Sequence, residues 1–528
     1  MTAVVVALSV AGIILEARDQ LRPVPSFEEQ ACALPGTWLE RTRRGYYAPR
    51  SGQISLLPRT PAYMASGGDG WSHSGPWPYL QDVPIVFYGP GIIPSYAGVN
   101  EPATTADIAP TIAALSKARF PAPDGNVLKE ATSLPSTPRP RLILTIVLDG
   151  GGWNTLDLYE GDWPNLARLM AGGVSYRATV GSSPSVTPAV HSTLGTGAYP
   201  WLAGVTGVPV RDEEGEVVDA FLDGESSRFL QLPTFAESWD EASSNRALVG
   251  MLGYEPWHLG MIGQGAERAG GDKDHAVWLD VETNEWITNP EHYTLPKAVT
   301  SVESLDGHLA VLDAADGAID RSWGEHDILD APDRVEETPA FVHFHGDVLT
   351  NLVREAGYGR DAVTDLLFTN FKQIDRVGHY FNMASPEVRD ALVATDEELG
   401  RIVDDVEAAV GRGRYVVIVT ADHGQQPDAW VVGVYGIDPN EVERDIDAEF
   451  GPVTDAVWPT EVFLDDEALA SKGVSVEEVA RWLGDYRVED NVGDEDDELP
   501  ADTELSETDR VFELAIPARM LPRIECGG

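Results

Sequence analysis

The sequence predicts an α/β fold built on a mostly parallel central sheet. Two observations carry this. Short apolar runs rich in β-branched residues recur along the chain, each stopping at a residue of special chemistry, and amphipathic helical stretches lie between them. Strands alternating with helices imply parallel crossovers, and strands buried on both faces read as continuous apolar runs. "VPIVFYGPG" stops at Gly-Pro-Gly, "LILTIVLDGGG" runs into Asp149, "DLLFTNFKQIDRVGH" into Asp375 and His379, and "YVVIVTADHGQ" into Asp422 and His423. "SPEVRDALVATDEELGRIVDDVEAAVGRG" is the clearest helix. Ser385 can cap it, Pro386 suits its first position, apolar residues recur every three or four, and Gly411 ends it.

The chain has 528 residues, 43% of them hydrophobic, which is enough for two to four domains with a large core. Its 86 acidic residues against 37 basic ones give a formal charge of −49. Such a surface repels nucleic acid and anionic membrane and is compatible with high salt. An anionic substrate would need a local reversal of the field, which bound metal ions supply. The two cysteines, Cys32 and Cys526, exclude a disulfide scaffold and a Cys-type zinc site. Thr2 to Leu15 is uncharged and mostly apolar. It is shorter than the roughly 20 residues that span a bilayer, and it lacks a signal peptide's positive flank. An export signal or short envelope anchor is one reading, and a buried element of a cytoplasmic protein is the other.

Residues 129–140 read as a linker, 210–340 as an inserted cap rich in Trp, Gly and Asp, and 431–488 as a smaller α/β addition. Residues 489–507 hold ten acidic residues and no Lys or Arg, which predicts a solvated loop.

Ligands in open α/β sheets bind at the carboxyl ends of strands. Here those ends present Asp149, Asp375 with His379, and Asp422 with His423. One Asp after a strand is usually a turn or cap residue; three such ends in one chain are more informative. Carboxylates and imidazoles suit Zn²⁺, and also Mn²⁺ or Fe. Two metals about 4 Å apart can bind both oxygens of an in-line displacement. "GSSPSVTPAVHSTLGTG" offers Thr187 before Pro188. By itself this pair reads as a helix N-cap followed by Pro at the first helical position. A hydroxyl at a helix N-terminus also lies where an anion is favoured, and a neighbouring metal would make it a usable nucleophile.

The set "VLDGGG…WPNLARLMAGG…SVTPAVHSTLGTGAYP…IDRVGH…SPEV…TADHG" resembles the alkaline phosphatase superfamily, above all its nucleotide pyrophosphatase/type I phosphodiesterase branch. The resemblance covers 40–128, 141–210 and 340–430. It implies a three-layer alkaline-phosphatase-like fold and hydrolysis of a small phosphate ester or nucleotide through a phosphothreonine. Two divalent metals, zinc foremost, would serve the reaction. Asp149, Thr187, Asp422 and His423 would bind one, and Asp375, His379 and one further histidine the other. That histidine normally follows the Asp-His strand, but no histidine follows His423. "WSHSGPWPYLQDVPIVFYGPG", carrying His73, resembles the missing segment moved to the front, with the family's closing helix resembled by "TTADIAPTIAAL" after it.

The resemblance thus implies a circular permutation. Residues 1–39 would be a connecting segment and 40–128 the displaced closing unit. Residues 141–209 and 341–430 would form the catalytic core, and 431–528 a C-terminal addition. The new ends would then lie together, bringing Cys32 near Cys526 and bridging them in an exported protein.

His191 reads as a structural hydrogen-bonding residue, and His258 as a cap residue within possible reach of substrate. His343 and His345 alternate on a predicted strand or loop as a non-ligand pair. Trp71, Trp77 and Trp153 either stack on a base or line the core. The family's diesterases carry an Asn about 21 residues after the nucleophile. Val208 stands at that position, leaving the contact to a backbone N–H or Arg211 and weakening diester against monoester specificity. No sulfatase motif surrounds Thr187. A phosphodiesterase, a phosphomonoesterase and a non-catalytic metal-binding envelope protein are the competing readings.

Overall fold

The structure, a computed structural model, describes residues 24–60, 62–64, 72–96, 98–134, 137–331, 334–427, 436–491 and 506–527. The apolar stretch at 2–15, Trp71 and most of the acidic segment (492–505) lie outside the described residues. Among those described, no helix is long and apolar enough to cross a membrane. The chain divides into two compact units: Glu40–Ser51 with Asp69–Asp428, and Met1–Leu39 with Gly52–Gly68 and Ala429–Gly528.

The first unit is built on an eight-stranded sheet. Its strands are β1 (Asp82–Tyr88), β2 (Leu142–Leu148), β3 (Val174–Thr179), β4 (Val249–Leu252), β5 (His275–Asp280), β6 (Glu285–Ile287), β7 (Asp365–Phe371) and β8 (Tyr415–Thr420). They lie in the order β6-β5-β4-β7-β2-β8-β1-β3. The middle, from β5 through β8, is parallel. β2 lies between β7 and β8, with Leu148 opposite Phe371 and Val147 opposite Thr420, so the three site-bearing strand ends finish together.

Alternate side chains of β2 enter different cores. Leu142, Leu144, Ile146 and Leu148 pack in one, and Ile143 and Val147 in the other. Helices cover both faces. α3 (Pro339–Ala356) and α5 (Pro386–Val410) bring Phe341, Val348, Leu392 and Leu399 to the first core. α1 (Thr187–Thr196) and α2 (Phe235–Ser243) bring Val190, Leu194 and Phe235 to the second. The result is the expected three-layer arrangement. In α5 the Ser385 hydroxyl accepts the Val388 amide at 3.1 Å and Gly411 closes the helix, as the sequence predicts.

Three expectations change. β1 is antiparallel to both β8 and β3, so not every apolar run is a parallel strand. Residues 210–340, expected as an inserted cap, supply β4, β5 and β6 to the central sheet. Runs as short as Val249–Leu252, set among Gly and Trp, give too little pattern to read as core strands. His343 and His345 lie on helix α3 rather than on a strand or loop.

In the second unit a four-stranded antiparallel sheet runs Thr454–Trp458, Glu461–Leu464, Ile54–Pro58, Phe512–Pro517. Ile54–Pro58 therefore belongs with the C-terminal addition and not with the rest of 40–128; its partners are too distant in sequence to leave a local mark. Helix Phe27–Ala33 is fixed beside this sheet, because the Gln30 side chain accepts the Ala515 amide at 2.9 Å. On the same helix Cys32 is disulfide-bonded to Cys526, with Cα atoms 5.4 Å apart. The bridge joins residues separated by 494 positions. A cross-link across so long a loop restricts the unfolded chain strongly, and losing it typically costs about 2–5 kcal/mol. Reduction, or Cys32→Ser, should lower the urea midpoint of this unit by a corresponding amount; an unchanged midpoint in reductant would show that packing alone holds these ends.

Candidate active site

Asp149 follows β2 directly and is fully buried. The next residue, Gly150, has φ +68°, and a Cβ there would lie 3.0 Å from that of Asp375. A side chain is excluded where the loop passes the third carboxylate. The Gly150 amide donates to Asp422 Oδ1 at 3.2 Å, tying the β2 and β8 ends together. After β7, helix α4 (Gln373–Phe381) places Asp375 and His379 one turn apart, with His379 Nε2 3.3 Å from Asp375 Oδ2.

Thr187 is the first residue of α1, whose ten residues are all buried; the N-cap is Val186, with no side-chain capping bond. The sequence expectation of a threonine cap is thus corrected: Val186 is the cap and Thr187 the first helical residue. The Thr187 hydroxyl lies 3.4 Å from Asp149 Oδ2 and 3.3 Å from the Lys372 ammonium.

His73 enters from the segment before β1. Its Nδ1 is 2.9 Å from the Ser185 carbonyl, which can only accept, so Nδ1 carries the hydrogen. Its Nε2 lone pair then faces Asp375 Oδ1 at 3.5 Å. His423 repeats the arrangement: Nδ1 meets the Gly424 carbonyl at 3.0 Å, and Nε2 lies 3.3 Å from Asp149 Oδ1 and 3.5 Å from Asp422 Oδ2. The two imidazoles stack with centroids 3.5 Å apart. A ring nitrogen facing carboxylates while the other donates to a carbonyl is the disposition of metal-ligating histidine.

Potential ligand atoms lie within 4.8 Å of one another in three overlapping groups: His73–Asp375–His379, Asp149–Asp375–His423 and Asp149–His191–Asp422. Asp422 Oδ2 and His423 Nε2 are buried and make no well-formed hydrogen bond. These features fit divalent cations. Beside His73, Asp375 and His379 lies a cavity of only about 10 Å³, lined also by Gly378, Gln425 and Gln426.

Electrostatics in so buried a cluster is strongly coupled. Burial and then the Asp422 charge push Asp149 up. Burial would also raise Asp375, but Lys372, His379 and His73 outweigh it and hold Asp375 well below the usual range. Burial lowers His73 far below the imidazole norm, aided by His423, so it stays neutral. Burial works against protonated His423 too, but Asp422, Asp149 and Asp375 prevail and raise it to about 9.

Sequence reasoning missed Lys372 and undervalued His191. Lys372 sits between β7 and α4, is almost wholly buried, and puts its ammonium 3.1 Å from Asp149 Oδ1 and 2.7 Å from Asp375 Oδ2. Its signal was a lone cation between an apolar strand and Asp375. His191 brings Nε2 to 3.5 Å from Asp422 Oδ2, and its Nδ1 lies 3.1 Å from that of His258, so His258 stands behind it. His345 Nε2 meets Thr369 Oγ1 at 2.8 Å, and His343 Nδ1 meets Glu398 Oε1 at 2.9 Å. Trp77 stacks on Tyr79 and Trp153 packs against Trp163. Arg211 donates to Gly215 in its own hairpin.

The sequence model of the type I phosphodiesterase / nucleotide pyrophosphatase family matches residues 143–520. The chain belongs to this family. Alkaline phosphatase PafA of Elizabethkingia meningoseptica is 24% identical over 447 residues, covering 74% of this chain and 79% of PafA. Alkaline phosphatase PhoV of Synechococcus elongatus is 23% identical over 337 residues, 54% of this chain and 59% of PhoV. The crystal structure of wild-type PafA superposes with a TM-score of 0.53 at 20% identity, covering 66% of this chain and 76% of that one. The fold is thus alkaline-phosphatase-like, and the protein is a phosphate ester hydrolase of this family.

Removing one partner from a buried ion pair strands the other charge at a cost of about 3–5 kcal/mol. Lys372→Met should therefore destabilise chelator-treated protein by that order in urea unfolding. Equal stability of variant and parent would show that Lys372 does not neutralise Asp149 and Asp375.

Proposed function

We propose that this hydrolase cleaves phosphate esters by attack of the Thr187 hydroxyl on phosphorus, through a phosphothreonine that water then hydrolyses, at a centre holding two divalent cations. One observation carries the reading: Thr187 Oγ1 stands beside Asp149 and Lys372, at the N-terminus of α1, amid converging carboxylates and imidazoles. Asp149, Asp422 and His423 would hold one cation, with Thr187 beside it and His191 as a further donor. Asp375, His379 and His73 would hold the other. Zinc suits this mixed oxygen and nitrogen set, as do manganese and iron. When bound, the cations would lower the pKa of the attacking hydroxyl and offset charge on the leaving oxygen. The chain's own residues hold and orient these groups. Ser185 and Gly424 fix the tautomers of His73 and His423, and the first turn of α1 favours the phosphoryl anion.

Permuted segment order belongs to the same reading. His73 lies outside the stretch matching the family, while the other six residues lie within it. β1, which follows His73, pairs directly with β8, which leads to Asp422 and His423, and the Cys32–Cys526 bridge joins the two ends of the described chain.

The family description points to diesters. A second reading, phosphomonoesters, draws on Lys372. With it, two divalent cations outweigh the three carboxylates and a threonine alkoxide by one positive charge, which favours the more highly charged monoester dianion. Hydrolysis of p-nitrophenyl phosphate and of bis-p-nitrophenyl phosphate, with and without chelator, separates the two. Chelation should abolish both activities, and Thr187→Ala should cost at least about a hundredfold. A chelated or Thr187→Ala protein with full activity would overturn the mechanism.

Cation entry should also depend on pH. A cation at His423 Nε2 displaces a proton held up to about pH 9. Apparent zinc affinity should therefore rise about tenfold per unit from pH 7 towards 9 and then level off. Affinity that is flat across this interval would remove His423 from the ligand set.

A further inference from the structure

A second cluster of carboxylates lies apart from the catalytic one and shares no residue with it. Asp240 is on the last turn of α2, and Asp272 and Asp274 lie in the loop leading into β5. One carboxylate oxygen from each lies within 4.8 Å of the others. Asp240 and Asp274 are buried and Asp272 is exposed. Asp240 is only 4% exposed, and its Oδ1 meets no hydrogen-bond donor. A buried carboxylate oxygen with no partner requires an explanation.

The nearby cation does not supply one. Arg268 directs its two terminal nitrogens to Glu237 and Glu241, each at 3.6 Å. Glu237 also accepts the Thr234 and Gln264 amides. Lys273 turns away and donates to the Pro290 carbonyl. Among the described residues, none of the three aspartates pairs with a Lys or Arg. Burial, followed by the neighbouring carboxylates, raises Asp240 to about 7 and Asp274 well above its usual range. As the residues stand, burial and mutual repulsion hold Asp240 and Asp274 towards the protonated form, with Asp272 close enough to Asp240 to share a proton.

Beside Asp240 and Asp274 is a cavity of about 20 Å³, whose walls include Glu237, Arg268 and Gly265. That volume holds one water-sized species. We propose that Asp240, Asp272 and Asp274 form a binding site for a hard divalent cation, calcium before magnesium, which fastens the 265–274 loop to α2. An all-carboxylate donor set selects hard ions over zinc. Calcium accepts an irregular oxygen shell completed by water, whereas magnesium demands near-octahedral geometry. Exposed Asp272 leaves the outer side open to waters that complete the shell.

The test uses the full chain, stripped with chelator and reloaded with zinc, so that hydrolysis stays in view as a control. Calcium chloride is then titrated by calorimetry and by thermal unfolding. The wild type should bind calcium saturably with a dissociation constant below about 1 mM and gain a few degrees in Tm, with a smaller response to magnesium. Asp240→Asn should weaken calcium binding at least about tenfold and remove the Tm gain while p-nitrophenyl ester hydrolysis is unchanged. Asp272→Asn, made at the exposed carboxylate where folding is not at risk, should weaken binding in the same direction. Equal calcium binding by all three proteins would overturn the proposal, as would no saturable binding up to about 10 mM.

Discussion

Three carboxylates, Asp149, Asp375 and Asp422, are brought together with almost no exposure to water, and this constraint governs the rest of the site. Several kcal/mol of desolvation would be unrecoverable if they were left alone. Every other feature of the site answers that charge. Lys372 reaches two of the carboxylates, His423 reaches Asp149 and Asp422, His73 and His379 reach Asp375, and the Gly150 amide serves Asp422. The parallel register of β7, β2 and β8 sets the convergence, because it ends three strands at one level. A one-residue slip in any of them would move its aspartate out of the cluster.

The same constraint explains a site of opposite character to the surface around it. With a formal charge of −49, the chain as a whole repels phosphate. Attraction must be generated within a few ångströms, where water is excluded and fixed charges act strongly. Cations held by these carboxylates and imidazoles would provide that reversal over a short range. Screening keeps the acidic surface from cancelling it, since at physiological salt exposed charges fade beyond about 8 Å.

Much of this was legible in sequence, for a definite reason. Asp149, Asp375, His379, Asp422 and His423 each follow an apolar run, so local pattern marks both the strand and the residue at its end. His73 has no such mark of its own and was reached only through the resemblance to a family segment. Lys372 and His191 were not read as site residues, because their neighbourhoods are made by pairings that local pattern does not encode. The antiparallel direction of β1 and the pairing of Ile54–Pro58 with Phe512–Pro517 were hidden for the same reason. Direction and partner are properties of the closed sheet, whereas strand existence is a property of the run.

At Thr187 a common local motif meets unusual surroundings. Thr-Pro at a helix start is ordinary, and its hydroxyl normally satisfies a first-turn amide. Here the helix begins on the threonine itself, with Val186 as a cap that offers no side-chain acceptor. The hydroxyl is freed to face Asp149 and Lys372, and the partial positive charge of the helix start is left for another anion. Shifting the helix start by one residue thus leaves the hydroxyl beside Asp149 and Lys372 instead of on a first-turn amide, which is what the proposed attack requires. The burial of all ten residues of α1 makes that shift rigid, because the helix cannot slide back without breaking its packing on both sides of His191.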